Sequence, residues 1–114
     1  MQTEHPKLEL PELKYGYAAL EPVLISDILE VHHKKHHQAY VNNYNTLANQ
    51  LVDNHYKGNV DKVQSLCGKV SFNAGGHNCH AWYWENLAPA DNGGGDKCFD
   101  ESSAFAKALV RVKF

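Results

Sequence analysis

The 114-residue chain lacks a basic excess: 11 Lys and Arg stand against 13 Asp and Glu, for a formal net charge of -2. Without that excess little is available to neutralise phosphates or anionic lipid, so nucleic-acid and membrane-surface proteins are disfavoured. Long hydrophobic runs are missing as well. Stretches such as Ala81-Trp82-Tyr83-Trp84 extend for only a few residues, against the roughly 20 that a spanning helix requires, and the mean hydropathy is -0.52. The opening residues have neither the apolar core of a secretory signal nor the Arg-rich character of a transit peptide. The expectation is a chain that stays where it is made or whose leader is missing.

Cysteine is scarce. Cys67, Cys79 and Cys98 fall at unrelated spacings with no CxxC pair, and there is no Asn-x-Ser/Thr acceptor. A disulfide framework is disfavoured and a reducing compartment fits better. HExxH, GxSxG, Walker and dinucleotide-glycine motifs are also missing. Gly93-Gly94-Gly95 has no Lys-Ser/Thr after it and reads as a loop rather than a phosphate cradle. The length, with 43% hydrophobic and 21% charged residues, suits one soluble globular domain. What the chain has in abundance is histidine: eight residues, six of them in His32-His33-Lys34-Lys35-His36-His37 and His77-Asn78-Cys79-His80.

Three of the four prolines lie at positions 6, 11 and 22, with Tyr15 and Tyr17 between them. Proline removes donors and disfavours helix before it, so residues 1–25 are expected to form an extended arm lying along a body. Residues 26–53 contain no proline or glycine, and Asp27 followed by Glu30 makes a capping signature for a long helix. Ile28, His32, His36, Tyr40, Tyr44, Leu47 and Leu51 recur there at three- and four-residue steps, which places His32 and His36 in the buried stripe. His33, Lys34 and Lys35 are expected on the solvated flanks. After a turn at residues 53–59, Val60, Val63, Leu66 and Val70 resume a helical period. Gly75-Gly76 implies a kink or a close approach by another group, and His77, His80, Ala81 and Trp84 continue the helix to about Leu87. Asp100-Glu101-Ser102-Ser103 looks like the start of a short helix running from Ala104 to Val110. The expected fold is all-α: an antiparallel hairpin of two long helices with an extended arm and a short C-terminal helix.

An antiparallel hairpin can bring His32 or His36 opposite His77 or His80. A lone histidine on an apolar face is more often a core residue with a satisfied hydrogen bond. Two clusters on facing helices, interleaved with Tyr40, Trp82, Tyr83 and Trp84, favour a transition-metal site instead. Zinc held by His77, Cys79 and His80 is a competing reading, weakened because Cys79 and His80 are adjacent and cannot both face one ion from a regular helix.

Three segments carry a resemblance. They are Leu10-Pro11-x-Leu13-x-Tyr15-x-Tyr17-x-Ala19-Leu20-Glu21-Pro22, His32-His33-x-Lys35-His36-His37-x-Ala39-Tyr40-Val41-Asn42-Asn43, and Phe72-Asn73-x-Gly75-Gly76-His77-x-x-His80. In order and spacing they resemble the iron/manganese superoxide dismutase family, and Asn86-Leu87-x-Pro89 and Asn92-Gly93-Gly94-Gly95 fit as well. The resemblance divides the chain into an arm (1–25), the family's N-terminal α-hairpin domain (26–90), and a loop with the start of a segment leading to an α/β domain (91–114).

The resemblance implies that His32 and His80 are two of four protein ligands to one redox metal. It implies that His36 and Tyr40 gate the substrate funnel and hold a hydrogen-bonded solvent network, that Trp84 belongs to the aromatic shell, and that Lys35 guides superoxide inward. Gly76, four residues before His80, resembles the manganese type, so manganese is the first choice of cofactor and iron the second. Cys79 departs from the Asn usual at that place. The remaining two ligands would stand in an Asp-x-Trp-x-His motif that follows the family's hairpin, and no such motif occurs up to Phe114. The expectation is therefore a superoxide dismutase represented by half of its ligands, with weak or no activity by itself. The intact family enzyme would be a homodimer or homotetramer, in the mitochondrial matrix or the cytoplasm, with no nucleic-acid or membrane partner. The alternatives are a non-catalytic helical interaction module from the same family and, more weakly, the zinc-binding hairpin.

Overall fold

A computed structural model of the chain describes residues 5–95 and 100–111; Cys98 lies outside them. Among the described residues the regular structure is all helical. Helix α1 spans Ser26–Val31 and continues through a π-helical segment, His32–His37, into α2, Gln38–Tyr56; α3 spans Val60–Glu85 and α4 spans Ala104–Arg111. Helix α2, together with the π-helical segment before it, packs along α3 as a hairpin.

Each helix end has a local cause. Asp27 does not cap α1, because the N-cap position is Ile25 and Asp27 already lies in the first turn. The orphan Ser26 N–H is met instead by Glu21 Oε1 at 3.0 Å. Where α2 was expected to stop near residue 53, it runs to Tyr56 and closes with Asn59 N–H to the Asn54 carbonyl at 2.9 Å and Gly58 N–H to the His55 carbonyl at 3.0 Å. Gly58 sits at φ +69°, the left-handed position that this type of helix ending needs and that glycine adopts without a Cβ clash. Asn59 then caps α3 through its side chain to Lys62 N–H, and Ser103 Oγ accepts the Ala106 N–H at the start of α4.

The core is small and sits between the arm and one end of the hairpin. Leu20, Leu29 and Trp84 are buried together, with Leu13, Tyr15, Tyr17, Leu24 and Leu87 packed against them. Full burial of a side chain such as Leu29 contributes about 2 kcal/mol. The arm is also held by hydrogen bonds. Asn45 pairs with both backbone groups of Leu8, each at 2.9 Å, and Tyr15 donates to the Trp84 carbonyl at 2.9 Å. An ion pair joins Lys14 to Glu85.

The glycine pair does not interrupt α3, which is a single 26-residue helix. Its cause is close approach. A Cβ on Gly76 would overlap the ring of Tyr40, meeting Cγ at 2.6 Å, whereas one on Gly75 would enter open space.

Candidate metal centre

The π-helical segment delivers four imidazoles from one stretch of chain. A helix of this kind bonds i to i+5 and commonly marks a functional site; Gln38 N–H reaches back to the His33 carbonyl here. His33 and His37 turn inward and are buried, while His36 is exposed and His32 is half-buried. This corrects the reading from periodicity, in which His36 was inward and His33 solvated. His33 is drawn inward by partners on the arm: its Nε2 meets the Pro11 carbonyl and its Nδ1 meets the Tyr17 hydroxyl, both at 2.8 Å. A carbonyl only accepts, so Nε2 carries the hydrogen and Nδ1 receives the Tyr17 hydroxyl hydrogen.

His32 and His80 face each other across the hairpin with ring centroids 4.8 Å apart. Around His32 stand Trp84 at 4.9 Å, Tyr83 at 5.3 Å and His36 at 5.8 Å. Tyr40 lies 5.2 Å from His80 and 6.0 Å from Phe72. His80 Nδ1 is 2.7 Å from the Gly76 carbonyl, so Nδ1 donates and Nε2 keeps its lone pair. Burial, reinforced by His80 and His36, holds the His32 pKa below the ordinary histidine value and favours the neutral ring. Two facing imidazoles, one of them with Nδ1 tied to a carbonyl, are a donor set suited to a borderline transition metal. A shallow depression lined by Asp27, Ile28, Val31, His32 and His36 opens beside them.

Behind this pair lies a second one. His37 Nε2 and His77 Nδ1 are 2.9 Å apart, and Trp84 Nε1 donates to His37 Nδ1 at 2.9 Å. Among the described residues no group of three or more His, Cys, Asp or Glu side chains is arranged to hold a metal ion. Cys79 is exposed. Lys35 is exposed on the π segment, next to Lys34, which pairs with Glu30 at 2.6 Å and lies 5.1 Å over the Tyr17 ring.

The profile of the iron/manganese superoxide dismutase alpha-hairpin domain matches residues 7–88. The chain belongs to the iron/manganese superoxide dismutase family. A mitochondrial manganese superoxide dismutase of Glossina morsitans morsitans is 52% identical over 108 residues, covering 95% of this chain and 46% of that protein. One from Capsicum annuum is 48% identical over 87 residues, covering 76% of this chain and 38% of that protein. A manganese superoxide dismutase of Chlamydia pneumoniae is 48% identical over 86 residues, covering 75% and 42%. The chain thus spans less than half the length of these curated relatives.

Within this superoxide dismutase hairpin, the residues named from sequence come together unequally. His32, His80, Tyr40, Trp84 and Gly76 form one contiguous group, bounded by the Gly76–Tyr40 contact and the Gly76 carbonyl bond to His80. His36 stands at its exposed edge, 5.8 Å from His32, and Lys35 is exposed on the same π-helical segment. Tyr17, Tyr83 and His37 were not assigned roles from sequence, and His77 was named only as a candidate zinc ligand. The four-residue step from His33 to His37 was the available signal for a second face; the arm, bent at Tyr15 and turning at Tyr17, brings both hydroxyls inward without a period that marks it.

Proposed function

We propose that this chain supplies half of the metal centre of a superoxide dismutase that uses manganese, with iron as the second choice. The observation that carries the reading is the facing of His32 and His80 across the hairpin, inside a wall of Trp84, Tyr83 and Tyr40. When bound, such a metal supplies the one-electron cycling that takes superoxide to dioxygen and to hydrogen peroxide. His32 and His80 are the ligands. The Gly76 carbonyl fixes the ring and tautomer of His80, the usual work of a partner behind a metal ligand. Trp84 excludes water from one side of His32. His36, at the exposed edge, and Tyr40, beside His80, border the approach path and hold hydrogen-bonded solvent there, and Lys35 adds positive potential for an anionic substrate. The word mitochondrial in the names of two of these relatives favours a mitochondrial location, for which the matrix is proposed, with the cytoplasm as the alternative. Among the described residues no helix is long and apolar enough to cross a membrane. A homodimer or homotetramer is the assembly proposed for the intact enzyme.

Two imidazoles leave most of a coordination sphere to solvent, so the chain alone is expected to bind manganese weakly and to dismutate superoxide slowly. Supplying the part of the Glossina relative that lies beyond the matched region should raise both manganese content and dismutase activity. His32→Ala or His80→Ala should abolish the gain. No gain in either quantity, or a gain untouched by both substitutions, would contradict the proposal.

A second reading is a non-catalytic interaction hairpin. It is favoured by apolar side chains left in solvent, among them Phe72 at 69% and Trp82 at 67% exposure. Tight, stoichiometric manganese on the purified chain would exclude it.

A further inference from the structure

His37 has its hydrogen positions decided by its partners. An indole nitrogen can only donate, so His37 Nδ1, 2.9 Å from Trp84 Nε1, is the bare nitrogen. The ring hydrogen therefore sits on Nε2 and is donated to His77 Nδ1 at 2.9 Å. The side chain is completely buried and stands on the π-helical segment, five residues beyond His32. Its two partners both lie on α3, with His77 three residues before His80 and Trp84 four residues after it. The His37 ring is 5.3 Å from that of His80, and the two share no hydrogen bond. The His37 ring touches that of His80, while its hydrogen bonds go to the residues on either side.

We propose that His37 is the positioning residue of this metal centre: one imidazole, bonded to α3 both before and after His80, holds that stretch of helix and the Trp84 indole against His32. The metal part of the proposal rests on the reading of His32 and His80 given above; the bonding pattern does not. A His37 that merely filled space would be replaceable by leucine without moving its neighbours. A His37 that staples two turns of α3 would not.

The test uses the metal-free 114-residue chain with nitrogen-15 histidine. Long-range nitrogen–proton spectra near neutral pH are expected to show His37 protonated at Nε2 and bare at Nδ1, with the Trp84 indole hydrogen protected from exchange. His37→Asn keeps an acceptor near the place of Nδ1 but does not reach His77, and His37→Leu keeps neither bond. Ring-proton contacts between His32 and His80 are expected to weaken in the asparagine variant, which keeps one of the two bonds, and to be lost in the leucine variant. Manganese(II) affinity should fall by about tenfold for leucine and by less for asparagine, in line with other partners behind metal ligands. Trp84→Phe removes the same donor while leaving His37 in place, and it carries the comparison if His37→Leu does not fold. It should lose the same His32–His80 contacts, and adding His37→Asn should cost little more. The opposite tautomer, or unchanged contacts and affinity in both His37→Leu and Trp84→Phe, would overturn the proposal. If the unaltered chain binds no manganese, the metal reading fails, while the tautomer and the ring contacts still decide whether His37 positions His80.

Discussion

Tyr17 reaches from the arm to Nδ1 of His33, a ring that is buried at 6% exposure. Its hydroxyl satisfies an acceptor on a buried ring, and removing one partner of such a bond costs more than the bond itself contributes. Tyr17→Phe is therefore expected to destabilise the chain by about 1–3 kcal/mol in urea unfolding, with helix content unchanged before the transition. His37 makes a second residue-scale prediction. Its pKa is held down to about 4, first by burial and then by His77, His80, His33 and His32. The folded value lies below the ordinary 6.5, so as pH falls below 6.5 the unfolded chain takes up a proton that the folded chain refuses. The contribution to stability is fully present above pH 6.5 and is lost as pH falls through about 4. His32 and His77 are shifted in the same direction by burial and by His80 and add to the slope. Denaturant titrations of the metal-free chain at stepped pH should show stability falling across this window, by up to about 3 kcal/mol for His37 alone. A flat profile would mean that His37 is not held neutral.

At the scale of elements, the glycine pair in α3 separates two roles that look identical in sequence. Gly76→Ala would push a methyl into the Tyr40 ring and should cost about 1–3 kcal/mol, as overpacking does. Gly75→Ala enters open space and should be neutral or stabilising by up to about 1 kcal/mol. Thermal melts of the two variants check the contrast. The hairpin itself was legible because Leu47, Leu51, Leu66 and Val70 keep helical spacing on either side of a polar turn. The facing of His32 and His80 followed from that hairpin together with the family's motifs. The π-helical segment was not legible, since histidines four residues apart suit an α-helix and a wider turn alike. Nor was the burial of His33 and His37, which depends on the Pro11 carbonyl, Tyr17 and Trp84, all distant in sequence from them. The expected Asp27 cap failed for a similar reason, because the Glu21 carboxylate reached the helix end first.

The molecule as a whole is elongated. Its radius of gyration is 19.4 Å, with extents of 57 × 36 × 23 Å, whereas a compact domain of this length has roughly 13 Å. Only one end of the hairpin is closed by the arm; Ile28, Val31 and Tyr83, which surround His32, remain 55%, 40% and 40% exposed. The His32–His80 pair is thus reachable from solvent, and its affinity for a metal can be read directly on the unaltered chain. Manganese(II) broadens nearby proton signals by its unpaired electrons, so titrating it while watching the histidine ring protons maps where it binds. His32 and His80 are expected to broaden first and together, with His5 and His55 unaffected, and His32→Ala is expected to remove the effect at His80. Broadening that begins at His5 or His55, or that persists at His80 without His32, would contradict a centre built on that pair.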